Sequence, residues 1–184
     1  ILTGKRYGTE GAILKAKQLV EKHPEKYWFV NQFNNYDNVD AHYYNTAPEI
    51  LYQLGHIDYL IAGVGTSGTI MGIAKRFKRD SPETRIIGVI PPAGYCIQGL
   101  QNPQKDFIGK IFEQDLLDQI FDVSKEEAYS MVSLLARTEG VFAGMSSGAV
   151  IHVAKQLASK IGSGNIAVIL SDRGEKYLST GIFN

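Results

Sequence analysis

The chain has 184 residues, enough for one substantial domain with a sizeable core, and its 19 basic and 19 acidic residues cancel to a formal net charge of zero. That balance, without a clustered basic face, argues against a nucleic-acid partner. The lone cysteine, Cys96, excludes an intrachain disulfide and a cysteine-based zinc site and fits a reducing compartment. No apolar run is long enough to cross a bilayer and no signal peptide is legible, so a cytoplasmic protein without a membrane partner is expected.

Ile1-Leu2-Thr3 reads as the end of a strand, so the chain is expected to be one piece of a longer one. Thr9 is placed to cap a helix running to about His23, where Pro24 stops it, with Ile13, Ala16 and Val20 on one face. Trp28 to Val30 reads as a short strand, and the Asn-rich stretch from Asn31 to Asn38 as a loop. Thr46-Ala47-Pro48-Glu49 has the form of a capping box before a helix that Gly55 ends.

Tyr59 to Ala62 is predicted as a buried strand, followed by a glycine-rich loop and a helix from Thr69 to about Arg79. Arg85 to Ile90 is the next buried strand, and Ala93 to Lys110 is long and irregular, as functional loops are. Ser124-Lys125-Glu126-Glu127 is a second capping box, opening a helix that closes at Gly140. A small-residue turn from Ala143 to Gly148 leads into a helix through about Ile161, and Ile166 to Leu170 is the last strand. Strands and helices alternate, so an α/β fold with a mostly parallel twisted sheet flanked by helices is expected.

Gly63-Val64-Gly65-Thr66-Ser67-Gly68-Thr69, between a strand and a helix, suits a phosphate. Glycines permit close backbone approach, successive N–H groups and a helix N-terminus favour an anion, and three hydroxyls add donors. The loop contains no Lys or Arg, so dipoles and hydroxyls would do the holding. Gly63, Gly65 and Gly68 also match the dinucleotide pattern G-x-G-x-x-G. That pattern wants an acidic residue about twenty positions on, whereas the following strand ends Val89-Ile90-Pro91-Pro92 with no acid between Arg85 and Gln104. A monophosphate is favoured, a dinucleotide disfavoured, and a glycine-rich turn without ligand stays open. His23, His42, His56 and His152 are scattered, so no metal site is expected.

Several segments, in order, resemble the cysteine synthase family of fold-type-II pyridoxal-phosphate enzymes. Gly65-Thr66-Ser67-Gly68-Thr69 resembles its phosphate loop; Asn31-Gln32-Phe33-Asn34-Asn35, with Ala41-His42-Tyr43 and Ala47-Pro48-Glu49-Ile50, its substrate segment. Glu139 to Ala149 is similar to its second cofactor motif, and Asp172 to Thr180 to its C-terminal signature. The Asp172-Arg173-Gly174 version and the ending Gly181-Ile182-Phe183 resemble the B-type enzymes.

The resemblance implies a tryptophan synthase β-like fold, with residues 1–30 ending a smaller N-terminal domain and 31–184 forming the larger cofactor domain. It implies that Gly65, Thr66, Ser67, Gly68 and Thr69 hold the phosphate of pyridoxal 5'-phosphate and that Ser146 meets the pyridine nitrogen. Ser146 also has a plainer reading as a helix N-cap. Gln32, Phe33 and Gly99 match substrate-contacting positions; for Phe33 a core aromatic is an equal alternative. The Schiff-base lysine is expected upstream, so no catalytic residue is assigned within this chain, which alone should be inactive. The whole protein would be a homodimer converting O-acetyl-L-serine and sulfide to L-cysteine. A non-catalytic module that binds phosphate or a partner protein is the alternative. Leu100-Gln101-Asn102 departs from the arginines often found in B-type enzymes, which counts against anionic substrates; Lys105 is a candidate substitute.

Overall fold

A computed structural model of the chain describes residues 1–104 and 108–183, the Lys5 side chain excepted. Its sheet has four strands, all parallel: β1 (Tyr59–Gly63), β2 (Arg85–Ile90), β3 (Gln119–Asp122) and β4 (Ile166–Val168), in the spatial order β3-β2-β1-β4. The expected α/β architecture is thus present. The two central strands are apolar almost throughout because helices cover both faces.

Alternation along the strands divides the core in two. Leu60, Ala62, Ile86 and Ile90 face one layer, where α4 (Gly68–Asp80) contributes Ile70, Met71, Ile73, Ala74 and Phe77. Ile61, Ile87 and Val89 face the other, where α5 (Lys125–Glu139) supplies Ala128, and α6 (Met145–Ile161) supplies Ala149, Val150 and Val153. In sequence, the first core begins at Val39 and the second at Ile61. Helix α1 (Gly8–Lys22) contains no buried residue; its Ile13–Ala16 face lines a groove against residues 28–33.

Four local expectations are corrected. Trp28–Val30 is not a strand: no described strand lies beside it to satisfy its backbone, and Trp28 is 81% exposed. Thr9 does not cap α1, which starts one residue earlier after Tyr7 and has no side-chain cap. The last two residues of the Asn-rich stretch are helical: α2 (Asp37–Ala41) runs into a π-helical turn, His42–Thr46, and on into α3 (Ala47–Leu54). Because this helix is continuous, Thr46 has helical backbone angles and forms no cap; its hydroxyl meets His42 instead. Strand β3 was not anticipated. The Ser124 capping box is present in full, with Glu127 N–H donating to the Ser124 hydroxyl and Glu127 carboxylate accepting from the Ser124 N–H.

Candidate cofactor site

The site lies beyond the carboxyl ends of the strands, where parallel α/β sheets bind ligands. Strand β1 ends at Gly63, the loop turns through Gly65, Thr66 and Ser67, and α4 begins at Gly68. Two other segments close on this loop. After β2 the chain returns so that the Gln101 N–H donates to the Val64 carbonyl at 2.7 Å. After β4, Ala143 and Arg173 form an isolated bridge, while the Gly144 N–H donates to the Asp172 carbonyl at 3.0 Å, pinning the start of α6 to the segment that follows Ser171. The result is a cleft of about 220 Å³ lined by Gly65, Thr66, Ser67, Thr69, Gly99 and Ser171, among others.

Close approach is the reason for its glycines. A Cβ on Gly65 would stand 2.7 Å from the Gly99 carbonyl oxygen. Gly99 itself has φ +93°, and a Cβ there would lie 3.6 Å from the Ser146 hydroxyl oxygen. Gly65, Gly99 and Ser146 are therefore one neighbourhood. Ser146 occupies the second position of α6, whose N-cap is Gly144, so the N-cap reading of Ser146 does not hold.

Ser67 bears the signs of an anion cradle. Its φ of +79° is left-handed, a conformation that costs a non-glycine residue on the order of 1–3 kcal/mol. Its side chain is buried, and its hydroxyl oxygen has no hydrogen-bond partner among the described residues. A buried orphan hydroxyl is itself costly, and a ligand at the loop would give it a partner. No lining residue of the cleft is charged. These donors fit a phosphate ester held by hydroxyls, backbone N–H groups and the α4 dipole, as a pyridoxal phosphate cradle requires.

Gln32 and Phe33 are placed differently. They line the groove against α1 rather than the cleft, and Phe33 is buried. The link is indirect: the Asn38 side-chain amide donates to the Gln32 carbonyl at 2.8 Å and to the Thr66 hydroxyl at 3.1 Å. Ser171 was missed, since one serine after a strand has no local signal. Asn102, in the loop beyond Gly99, donates to the Pro91 carbonyl at 2.8 Å and accepts from the Gln104 N–H at 2.9 Å, a structural role. Lys105 lies outside the described residues. Lys75 pairs with Glu113 at 2.6 Å and Lys78 with Asp118 at 2.8 Å, and no lysine is among the residues that line the cleft.

A three-layer parallel fold with this cradle at a strand end defines a phosphate-cofactor enzyme domain. Residues 1–172 match the model of the pyridoxal-phosphate dependent enzymes, and the chain belongs to that family. It is 41% identical to a cysteine synthase of Aquifex aeolicus over 189 residues, covering all of this chain and 58% of that protein. It is 35% identical to cysteine synthase B of Pseudomonas aeruginosa, covering all of this chain and 61% of that protein. Among solved structures, the O-acetylserine dependent cystathionine beta-synthase of Helicobacter pylori superposes with a TM-score of 0.91 at 34% identity, over all of this chain and 62% of that one. The chain thus spans about three-fifths of the length of the relatives it matches.

Proposed function

We propose that this chain is the larger part of a cysteine synthase that makes L-cysteine from O-acetyl-L-serine and sulfide. One observation carries the reading: Gly65, Thr66, Ser67, Thr69 and Gly99 line a single cleft, Ser146 adjoins Gly99, and the buried Ser67 hydroxyl has no partner among the described residues. Bound pyridoxal phosphate supplies the electron sink for a substrate's α-carbon. The residues of this chain bind and orient it. The loop from Gly65 to Thr69 holds the phosphate, and Ser146 offers a neutral hydroxyl to the ring nitrogen. A neutral partner leaves that nitrogen without a fixed proton, which moderates the sink and favours β-replacement over transamination. The Gly99 backbone would lie beside the reacting side chain; Gln32 and Phe33, which line the groove against α1, would act on the amino acid only through the Asn38 link to Thr66. No residue of this chain is given the Schiff-base lysine's role.

The whole protein is proposed to be a cytoplasmic homodimer with residues 1–30 ending its smaller domain. This chain alone should turn over no substrate. The test is spectroscopic: the whole protein should bind pyridoxal phosphate with visible absorbance that shifts on adding O-acetyl-L-serine. A colourless protein, or an unshifted spectrum, would defeat the reading. In the same preparation Ser146→Asp should slow elimination at least tenfold while cofactor phosphate affinity stays within a factor of about three; unchanged turnover would refute the ring-nitrogen role.

A further inference from the structure

The segment after β4 meets the start of α6 through side chains as well as backbone. A Cβ on Gly144, the α6 N-cap, would fall on Asp172 Oδ1 and stand 2.6 Å from Tyr177 Cε2. The Gly144 backbone, at φ −85° and ψ −179°, suits any residue, so space alone demands glycine. Tyr177 is buried in the second core, and its hydroxyl donates to Asp172 Oδ2 at 2.5 Å, the length of a bond to a charged acceptor. Burial, and then the Asp172 carboxylate, hold the phenol above its ordinary pKa of 10.0, so it remains the donor. Lys176, 4.0 Å from the same oxygen and exposed, adds little. Asp172 Oδ1 is buried and has no hydrogen-bond partner among the described residues. What compensates its charge at α6 is the positive end of the helix dipole.

We propose that Asp172 and Tyr177 are positioning residues for Ser146: the Asp172 carboxylate stands in for the side chain that the α6 N-cap lacks, and Tyr177 locks it there. This rests on reading Ser146 as the partner of the cofactor's ring nitrogen. Ser146 lies in the first turn of α6, just after Gly144 and Met145. An N-cap ordinarily supplies its own Ser, Thr, Asp or Asn side chain. Here the anion arrives from a different segment, so the setting of the first turn of α6 depends on how that segment docks. The Gly144 N–H, donating to the Asp172 carbonyl, fixes one point of the helix start. The carboxylate, wedged against Gly144 and tied to the buried Tyr177, fixes a second and stops α6 turning about the first. A hydrogen bond weakens steeply once its angle is poor, so the direction of the Ser146 hydroxyl depends on both points.

The test uses the whole protein, stripped of cofactor, with pyridoxal phosphate and its 1-deaza analogue, which has carbon in place of the ring nitrogen, as paired ligands. The readout is the ratio of the two affinities, which a merely structural loss would leave unmoved. The wild type should prefer pyridoxal phosphate by about tenfold, the size of one hydrogen bond, and Ser146→Ala should abolish that preference. Tyr177→Phe should abolish most of it too, and the double variant should lose no more than Ser146→Ala alone. Asp172→Asn keeps an acceptor for Tyr177 and removes only the charge, so it should fall between Tyr177→Phe and the wild type; it decides alone if Tyr177→Phe does not fold. Full preference retained in Asp172→Asn and Tyr177→Phe, or equal losses for both ligands, would overturn the inference while leaving the Ser146 reading intact. A wild type without preference, or a Ser146→Ala variant that keeps it, would overturn both.

Discussion

A methyl group at Gly65 would stand inside the van der Waals radius of the Gly99 carbonyl oxygen. Both atoms belong to backbone, so neither can rotate aside. Gly65→Ala should push the Gly99 loop away from the cradle and weaken pyridoxal phosphate by more than tenfold, with a loss of stability of roughly 1–3 kcal/mol; cofactor titration and urea unfolding measure the two. His42 yields a second expectation at this scale. Its folded pKa lies below 6.5, so as pH falls the unfolded chain takes up the proton first. Its contribution is present above pH 6.5 and is lost as pH falls below that value. The cofactor-free protein should therefore lose stability across that window, and His42→Gln should flatten the slope; equal slopes would refute the assignment. Among single residues, the glycine loop between β1 and α4 was legible because its spacing is a local signal. Ser171 was not, because its place on the cleft exists only once segments far apart in sequence meet.

At the scale of elements, the Ser124 box offers a clean measurement. Ser124→Ala removes the hydroxyl that accepts from the Glu127 N–H and should cost about 1 kcal/mol, read as a lower urea midpoint with unchanged slope. Where α5 crosses α6, Gly148 is the contact: a Cβ there would meet the Ala128 carbonyl oxygen and stand 2.5 Å from a Val132 methyl. Gly148→Ala should cost more than Ser124→Ala, although alanine is the better helix former; a stabilised variant would contradict the packing. The buried strands β1 and β2 and the Ser124-capped helix α5 were readable, as their patterns are local. Strand β3 was not: Gln119-Ile120-Phe121-Asp122 is a four-residue edge strand with polar ends. Trp28–Val30 showed the opposite error. Its apolar, β-favouring residues read as a strand, but a strand also needs a neighbour, and none of the described strands lies beside it.

For the molecule as a whole, the two cores begin at Val39 and Ile61, and α1 buries no residue. Removal of residues 1–30 should therefore leave a single cooperative unfolding transition; loss of cooperativity would count against a domain division near residue 30. The alternation of strands and helices made the architecture readable from the sequence. The strand order was not, because register and neighbour choice depend on long-range packing.

The parallel pairing of β1 with β4 sets the order in which the molecule can be completed. Tyr59 lies opposite Ile166, more than a hundred residues later in the chain. Ser171 and the segment that pins the start of α6 come later still. At a ribosomal rate of about 5–20 residues per second, the cradle loop waits roughly 5–20 seconds for its far wall. During that interval Ser67 has no reason to hold its left-handed turn, and a cofactor molecule would find only a flexible glycine loop. Capture of pyridoxal phosphate at this loop is therefore expected to wait until β4 and the segment after it have docked.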